Sequence, residues 1–460
     1  GPFIGQTYRV SCAAHMTATT RSGFRMLTRY TVPRSRLDGI VDALSGLEGF
    51  ICLDTDRGNG RRVSALPIRE WHFPDDPQRF SATVSDILAE HRQLANGDAC
   101  GGIAGSLFYE AGRQTVPGFR SRGESLGSVG WAGLYPWELV IPASEDARLL
   151  FHESCPAELK ARILEIATNL PETPARPGFR LTAPFRPLSS VEDYLAGVRR
   201  ILDYIQAGDC YQANLSQMFE GRFEGDPWLA WKALTEAIPV PHGGYLNAGE
   251  WQLLSVSPEL FLEIHGDHVT SKPIKGTRPR GGHPEQDRAL ARELATNPKD
   301  RAENLMIVDL IRNDLSHFCE PFSVRVPQLF EVESYRNVHQ LVSTVTGTLE
   351  ADTTPFEAML GAFPGGSITG APKRRAMEII DELEFHPREP YCGSLFWWGA
   401  NNRLESNIAI RSLQTLACGR IRGWAGCGIV ADSDPQDEYQ ESLTKIQRLL
   451  STLEALGPAG

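Results

Sequence analysis

Ser190-Val-Glu-Asp-Tyr-Leu-Ala-Gly-Val-Arg-Arg-Ile-Leu-Asp-Tyr-Ile-Gln-Ala-Gly-Asp-Cys-Tyr-Gln-Ala-Asn-Leu-Ser-Gln-Met-Phe219 is the passage on which the fold class turns. Its first half places Val191, Tyr194, Leu195, Val198, Ile201, Leu202 and Ile205 at helical spacing, with Ser190 as N-cap and Gly208 just past the end. A strand, Tyr211 to Phe219, follows at once. The apolar stripe of the helix must face a core. The same strand-helix alternation does not recur along the chain, so a doubly wound parallel sheet is not expected.

Downstream, Trp251 to Ile264 and His268 to Ile274 read as a hairpin across Gly266-Asp267. Helices are expected at Pro284 to Ala295, at Pro298 to Leu315 behind Asn297, and at Pro435 to about Leu453 behind Asp434. Upstream, residues 24 to 150 alternate short apolar runs with turn signals, as in Gly49-Phe-Ile-Cys-Leu-Asp-Thr55 before Asp56-Arg-Gly-Asn-Gly60, and read as mostly strand. A proline-rich connection from Pro156 to Pro187, broken by a short helix from Leu159 to Asn169, joins the halves. The expected organisation is a tag or cloning remnant over 1–15, a natural start near Met16, an N-terminal unit over 16–170 and a second unit over 186–456. The class is mixed α and β.

The composition, 41% hydrophobic and 22% charged residues, is that of a globular protein, and no stretch approaches the ~20 apolar residues a membrane span needs. A net charge of -11 argues against nucleic acid, although a pocket inside an acidic protein can still be cationic. Nine cysteines without a C-x-x-C pair suggest neither a disulfide framework nor a zinc knuckle, and a reducing cytoplasm is expected. Gly123-Glu-Ser-Leu-Gly127 matches a hydrolase elbow only as text, because its flanks are loop-like. His265 and His268 read as solvated turn residues. Neither phosphate-binding glycine loop is present.

Three groups of residues carry chemistry, each with a plainer alternative. Lys275, between Ile274 and Gly276, is either a desolvated amine nucleophile or one more cation in a basic loop with Lys272, Arg278 and Arg280. Asp300 with Glu303, and Glu438 with Glu441, each put two acids on one helix face; they suit a hard divalent ion, or simply the positive end of a helix. Trp424-Ala-Gly-Cys-Gly-Ile-Val-Ala-Asp432 ends a strand with two glycines that either expose backbone N–H groups to a carboxylate or make a tight turn.

Five blocks in this order resemble the chorismate-utilising enzyme family, which includes the large subunits of anthranilate and aminodeoxychorismate synthases and the isochorismate and salicylate synthases. They are Gly208-Asp-Cys-Tyr-Gln-Ala-Asn-Leu-Ser216, Ser257-Pro-Glu259, Pro273-Ile-Lys-Gly-Thr-Arg278, Phe363-Pro-Gly-Gly-Ser-Ile-Thr-Gly-Ala-Pro-Lys373 and Gly426-Cys-Gly428, within roughly 190–455. Gly101-Gly-Ile-Ala-Gly-Ser-Leu-Phe-Tyr-Glu-Ala-Gly-Arg113 extends a weaker likeness into the first half. The resemblance implies an anthranilate-synthase-like α+β fold of two intertwined subdomains, with packed antiparallel sheets and outer helices.

It also implies roles. Gln212 stands where water-activating members carry lysine, and an amide cannot act as a base. Lys275 stands where anthranilate synthases have alanine, and marks the branch that aminates chorismate at C4 through a covalent lysine adduct at C2. Glu259 would be the general acid. Mg²⁺ would be held by Glu303 and Glu441, with Asp300 and Glu438 acting through water. Tyr391 and Arg411 would bind the enolpyruvyl carboxylate, Gly428 and Lys445 the ring carboxylate, and Ser367 would lie close to the substrate. Gln340 replaces the usual histidine near the leaving group, so imidazole help there would have to come from His339. No glutaminase elbow is present, so ammonia would come from a glutamine amidotransferase subunit. The alternatives are an anthranilate synthase or another C2-aminating synthase, and a non-catalytic subunit that keeps the fold.

Overall fold

A computed structural model describes residues 28–95, 100–169 and 177–457, with the backbone of 18–19; the expected remnant over 1–15 and Met16 lie outside the described residues. Two antiparallel sheets form the body. Thirteen strands make the first, ordered Ala18–Thr19, Thr28–Val32, Ala147–Phe151, Trp137–Ile141, Gly60–Ser64, Ile51–Thr55, Gly244–Asn247, Trp251–Ser255, Ser412–Leu416, Arg420–Ile429, Gln212–Glu224 and Arg180–Pro187, with Gly370–Ala371 paired beside Gln212–Glu224. The ten-stranded second sheet runs Ile274–Pro279, Val338–Thr348, His268–Lys272, Leu260–His265, Leu404–Asn407, Ser394–Gly399, Gly102–Leu107, Gly130–Tyr135 and Arg69–His72, and Arg325–Ser334 also pairs with Val338–Thr348. Strands from either side of the 170–186 connection therefore pair in both sheets, which is the interleaving expected of the family.

The layers follow from which faces are apolar. Ile51, Leu53, Leu246 and Leu253 of the first sheet pack on Ala104, Trp131, Leu395 and Trp397 of the second, so the sheets meet face to face. Helices Arg34–Leu44, Ala157–Asn169, Pro227–Ala237 and Pro435–Glu454 contribute to a core on the first sheet. Helices Pro77–Leu94, Pro298–Ser316 and Pro355–Ala362 contribute to one on the second. Each fully buried Leu, Ile or Phe in these layers contributes about 1.5–3 kcal/mol. No helix among the described residues is long and apolar enough to cross a membrane.

Local chemistry sets the ends of the elements as read. Ser190 and Asp193 form a reciprocal capping box on Val191–Gln206, and Gly208 adopts φ +83° beyond it. Asn297 Oδ1 accepts from Asp300 N at 3.0 Å, and Asp434 caps the last helix through Gln436 N and Asp437 N. Gly123–Gly127 is loop, and His265 and His268 face each other at the exposed end of a hairpin.

Four expectations need correction. The first half is not mostly strand: it contains Arg34–Leu44 and Pro77–Leu94, the latter capped by Asp76 with Pro77 in its first turn. Trp251 to Ile264 is not one strand, since Trp251–Ser255 belongs to the first sheet and Leu260–His265 to the second; Ser257-Pro-Glu259 is the crossing between them. The strand after the helix Val191–Gln206 runs from Gln212 on to Glu224. The end of the proline-rich connection is itself a strand, Arg180–Pro187, tolerated because it lies at a sheet edge where proline's missing donor costs little.

One buried ion pair ties these pieces together. Arg388 is 1% exposed; its Nε and Nη2 grip Glu384 at 2.7 and 2.8 Å, and Nη1 donates to Ile368 O at 2.8 Å. Glu384 Oε2 also accepts from Ser216 N and Oγ, at 2.9 and 3.0 Å. The Arg388 backbone N–H donates to Glu110 Oε1 at 2.7 Å, and its guanidinium lies 4.4 Å over the Tyr109 ring. Arg388→Met strands the Glu384 carboxylate in the interior, so it is expected to lower stability by about 3–5 kcal/mol, measured as a drop in the urea midpoint.

Candidate active site

Pro258 and Glu259 of the sheet crossing open onto a cavity of about 740 Å³ that collects residues from distant parts of the chain. Of the residues singled out in the sequence, Lys275, Glu259, Tyr391, Arg411, Gly428, Lys445, Ser367, Gln340, Glu303, Glu441, Asp300 and Glu438 all line it. Gln212 does not. It is buried beside Gly428, with its Nε2 donating to Asn214 Oδ1 at 3.3 Å.

Lys275 owes its direction to a defect in the sheet. Ile274 pairs with Val342 and Thr277 with Gln340, so the Lys275–Gly276 step carries one residue more than the opposing strand, and Gly276 takes φ +103°. A bulge of this kind turns a side chain out of the regular alternation. The half-buried Lys275 makes no ion pair among the described residues. Its Nζ lies where a Cβ on Gly428 would meet it at 3.1 Å, and the same Cβ would be 2.7 Å from Gln212 Nε2. Only glycine allows that approach. Lys272, by contrast, is the buried lysine of the basic run, and it is paired with Glu333.

Glu259 sits at the crossing between the sheets and is 4% exposed. Burial pushes its carboxyl up to about 7, although Ser367, Lys275 and the Ile274 backbone N–H act in the opposite direction. Ser367 Oγ faces that carboxyl without reaching full hydrogen-bond geometry. A carboxylic acid poised near neutrality beside an amine is suited to proton transfer.

The acids gather on one wall. Burial raises Glu303, and Asp300 and Glu441 raise it further against the pull of Lys275 and Lys299. Glu438 is raised by burial and by Glu441. Burial would raise Glu441 too, but Lys445, Lys275 and Lys299 outweigh it and hold it low; Lys445 Nζ pairs with it at 3.1 Å. Ligating atoms of Glu438, Glu441 and Cys427 lie within 4.8 Å of one another. Mutual repulsion among oxygen donors fits a hard divalent cation. Two members of the cluster fit less well. Asp300 Oδ2 is held by Arg278 Nη2 at 2.6 Å, and burial lifts the Cys427 thiol to about 12, keeping it protonated.

Cations face the acids. Arg411 has no carboxylate within ion-pair distance among the described residues; burial and the neighbouring Arg448 hold it below the usual guanidinium range. Its backbone is left-handed at φ +49°, as is Cys392 at +61°, next to Tyr391. Tyr391 stacks on Trp424, with centroids 5.9 Å apart and planes 4° from parallel. Lys445 Nζ also donates to Gly426 O at 3.3 Å. An anion with two separated carboxylates and an apolar ring matches this wall.

Some partners were not singled out from the sequence. Arg448 continues the face of Glu438, Glu441 and Lys445 on one helix, so its 3-4-3 spacing was readable. Lys299 immediately precedes Asp300 on the same helix. His339 does not reach the cavity: its Nε2 bonds Asp287 Oδ1 at 2.8 Å and its Nδ1 meets Ser334 Oγ at 2.7 Å. Adjacent strand residues point to opposite faces, so Gln340, with Val338, faces the cavity while His339 does not.

The sequence profile described as chorismate binding enzyme matches residues 50–451. Aminodeoxychorismate synthase component 1 of Klebsiella aerogenes is 43% identical over 394 residues, covering 82% of this chain and 86% of that protein. Anthranilate synthase component 1 of Thermus thermophilus is 42% identical over 363 residues, covering 77% and 78%. Among solved structures, the menaquinone-specific isochorismate synthase of Escherichia coli superposes with a TM-score of 0.75 at 19% identity, over 96% of each chain. A match over this much of the sequence, together with the same two-sheet fold, means that the chain belongs to the family of chorismate binding enzymes.

Proposed function

We propose that this chain is the large subunit of an aminodeoxychorismate synthase, converting chorismate and ammonia to 4-amino-4-deoxychorismate. The observation that carries the reading is Lys275 Nζ, turned by its bulge into the same cavity as Glu259 and beside Gly428. Tyr391 and Arg411 would take the enolpyruvyl carboxylate, and the Gly428 backbone with Lys445 the ring carboxylate. The Lys275 amine adds to C2 while Glu259 protonates the C4 hydroxyl, which leaves as water. Ammonia then bonds C4, and the C2–nitrogen bond breaks to return the lysine. Gln340 offers an amide that orients but does not titrate, and Gln212, outside the cavity wall, is likewise no base, so water is not activated as a competing nucleophile. Ser367 stands beside the acid.

Mg²⁺ fits the acid wall: Glu303 and Glu441 would hold it, with Glu438 and the Arg278-bound Asp300 acting through water. Bound there, it would neutralise the substrate carboxylate nearest the acids. Ammonia would come from a glutamine amidotransferase subunit, in keeping with the name component 1 of the curated relatives. The free thiols among the described residues suit a reducing compartment, and the cytoplasm is the proposed location. The division into 16–170 and 186–456 is kept as a description of chain halves rather than of separable bodies.

The 42% identity to an anthranilate synthase component 1 favours a second reading, which Lys275 opposes. Incubation with chorismate, Mg²⁺ and ammonium separates the two: the expected product yields p-aminobenzoate only after a releasing lyase is added, whereas direct appearance of fluorescent anthranilate would reject the assignment. Lys275→Ala is expected to lower C4 amination by roughly a thousandfold or more, read by chromatography of product per enzyme. Glu259 must be protonated to act, and burial sets its carboxyl at about 7. Activity should therefore fall on the alkaline side as pH rises through that value, and Glu259→Gln should remove the dependence along with most of the rate.

A further inference from the structure

Glu259 and Ser367 belong to the walls of two cavities: the large one with Lys275, and a second of about 10 Å³ whose walls include Ser271, Ile311, Asp314 and Ala362 but not Lys275. A chamber of that size holds about one water molecule. Asp314, on the helix Pro298–Ser316, is buried and pairs through Oδ2 with Lys373 Nζ at 2.8 Å. The same Nζ donates to Ala362 O at 2.9 Å, and the exposed His317 lies one turn further along the helix from Asp314. The reaction proposed above gives this buried pair no task.

Proton accounting supplies one. In the first displacement Glu259 gives its proton to the departing hydroxyl, and the lysine nitrogen becomes a secondary ammonium. In the second, ammonia becomes the product's ammonium and Lys275 leaves as a neutral amine. Neither displacement returns a proton to Glu259, so each turnover needs one from solvent. Chorismate in the large cavity covers Glu259 from that side. We propose that the small chamber, with Asp314 in its wall, is the path by which solvent protons return to Glu259 while the large cavity is occupied. Asp314 is then a positioning and relay residue, since it touches neither substrate nor the reacting atoms.

The electrostatics agree with the geometry. Burial raises both carboxyls, Glu259 against Lys275 and Ser367, and Asp314 against Lys373 and His317. The Cys392 thiol also faces Glu259 and is lifted by burial to about 12, so it does not compete for the proton.

The inference rests on Glu259 acting as the acid, and the test separates the two ideas. Wild type, Asp314→Asn and the chamber-filling Ala362→Val are compared with chorismate, Mg²⁺ and ammonium in two regimes: a single turnover with enzyme in excess, and steady state. Both variants should keep the single-turnover rate within about twofold of wild type, while the steady-state kcat falls about tenfold or more at unchanged KM. If both rates stay at the wild-type level, or both fall together, the relay is wrong. Should Asp314→Asn fail to fold, Ala362→Val decides alone. A wild type that makes no C4-aminated product would instead overturn the functional reading itself.

Discussion

The Arg388–Glu384 pair is the constraint around which the cavity is built. A guanidinium taken out of water must find partners for its donors, and those available here belong to separate segments: the Glu384 carboxylate, Ile368 O and, at 3.3 Å, Asn214 O. Glu384 in turn fixes Ser216, and Glu110 from the first half holds the backbone of Arg388 and Glu389. The strand carrying Asn214, the glycine-rich turn carrying Ser367 and the approach to Tyr391 are thereby set in one frame. Loosening that frame would cost geometry at the cavity before it cost any substrate contact.

Within it, charges of both signs line one cavity, where Lys445 pairs with Glu441 and Arg278 with Asp300. Arg411, near Arg448, has no carboxylate within ion-pair distance among the described residues, whereas Glu441 raises both Glu303 and Glu438. Unrelieved charge of both signs within a single protein cavity is unfavourable, and it persists where a ligand completes it. A dianion with a divalent cation would satisfy both walls at once. Lys275 and Glu259 line the same cavity.

Local rules made much of this legible in the sequence. Caps at Ser190, Asn297 and Asp434 place three helices, and with them the spacing of the acids. Other features resisted. Pro77 behind Asp76 was as good a start signal as Pro298 behind Asn297, yet the turn-rich text around it masked the helix. The crossing at Ser257-Pro-Glu259 depends on which sheet each flank joins, and that pairing is non-local. The bulge at Lys275 is legible only once the opposing strand is known. Lys272 and Lys275, three apart in one basic run, have opposite fates for that reason alone: one is neutralised by Glu333, the other is free to meet a ligand.

The alternation of strands from both halves bears on how the molecule is made. Leu53 pairs with Gly244, roughly 190 positions later, and Phe396 of the second sheet pairs with Gly105, roughly 290 positions earlier. During synthesis the early strands emerge long before their permanent neighbours, with unpaired edges exposed in the meantime. Closing such long loops adds little to the final free energy, because the cost grows only with the logarithm of length. It weighs instead on time: nascent chains of this protein must be shielded until nearly all of the polypeptide has left the ribosome.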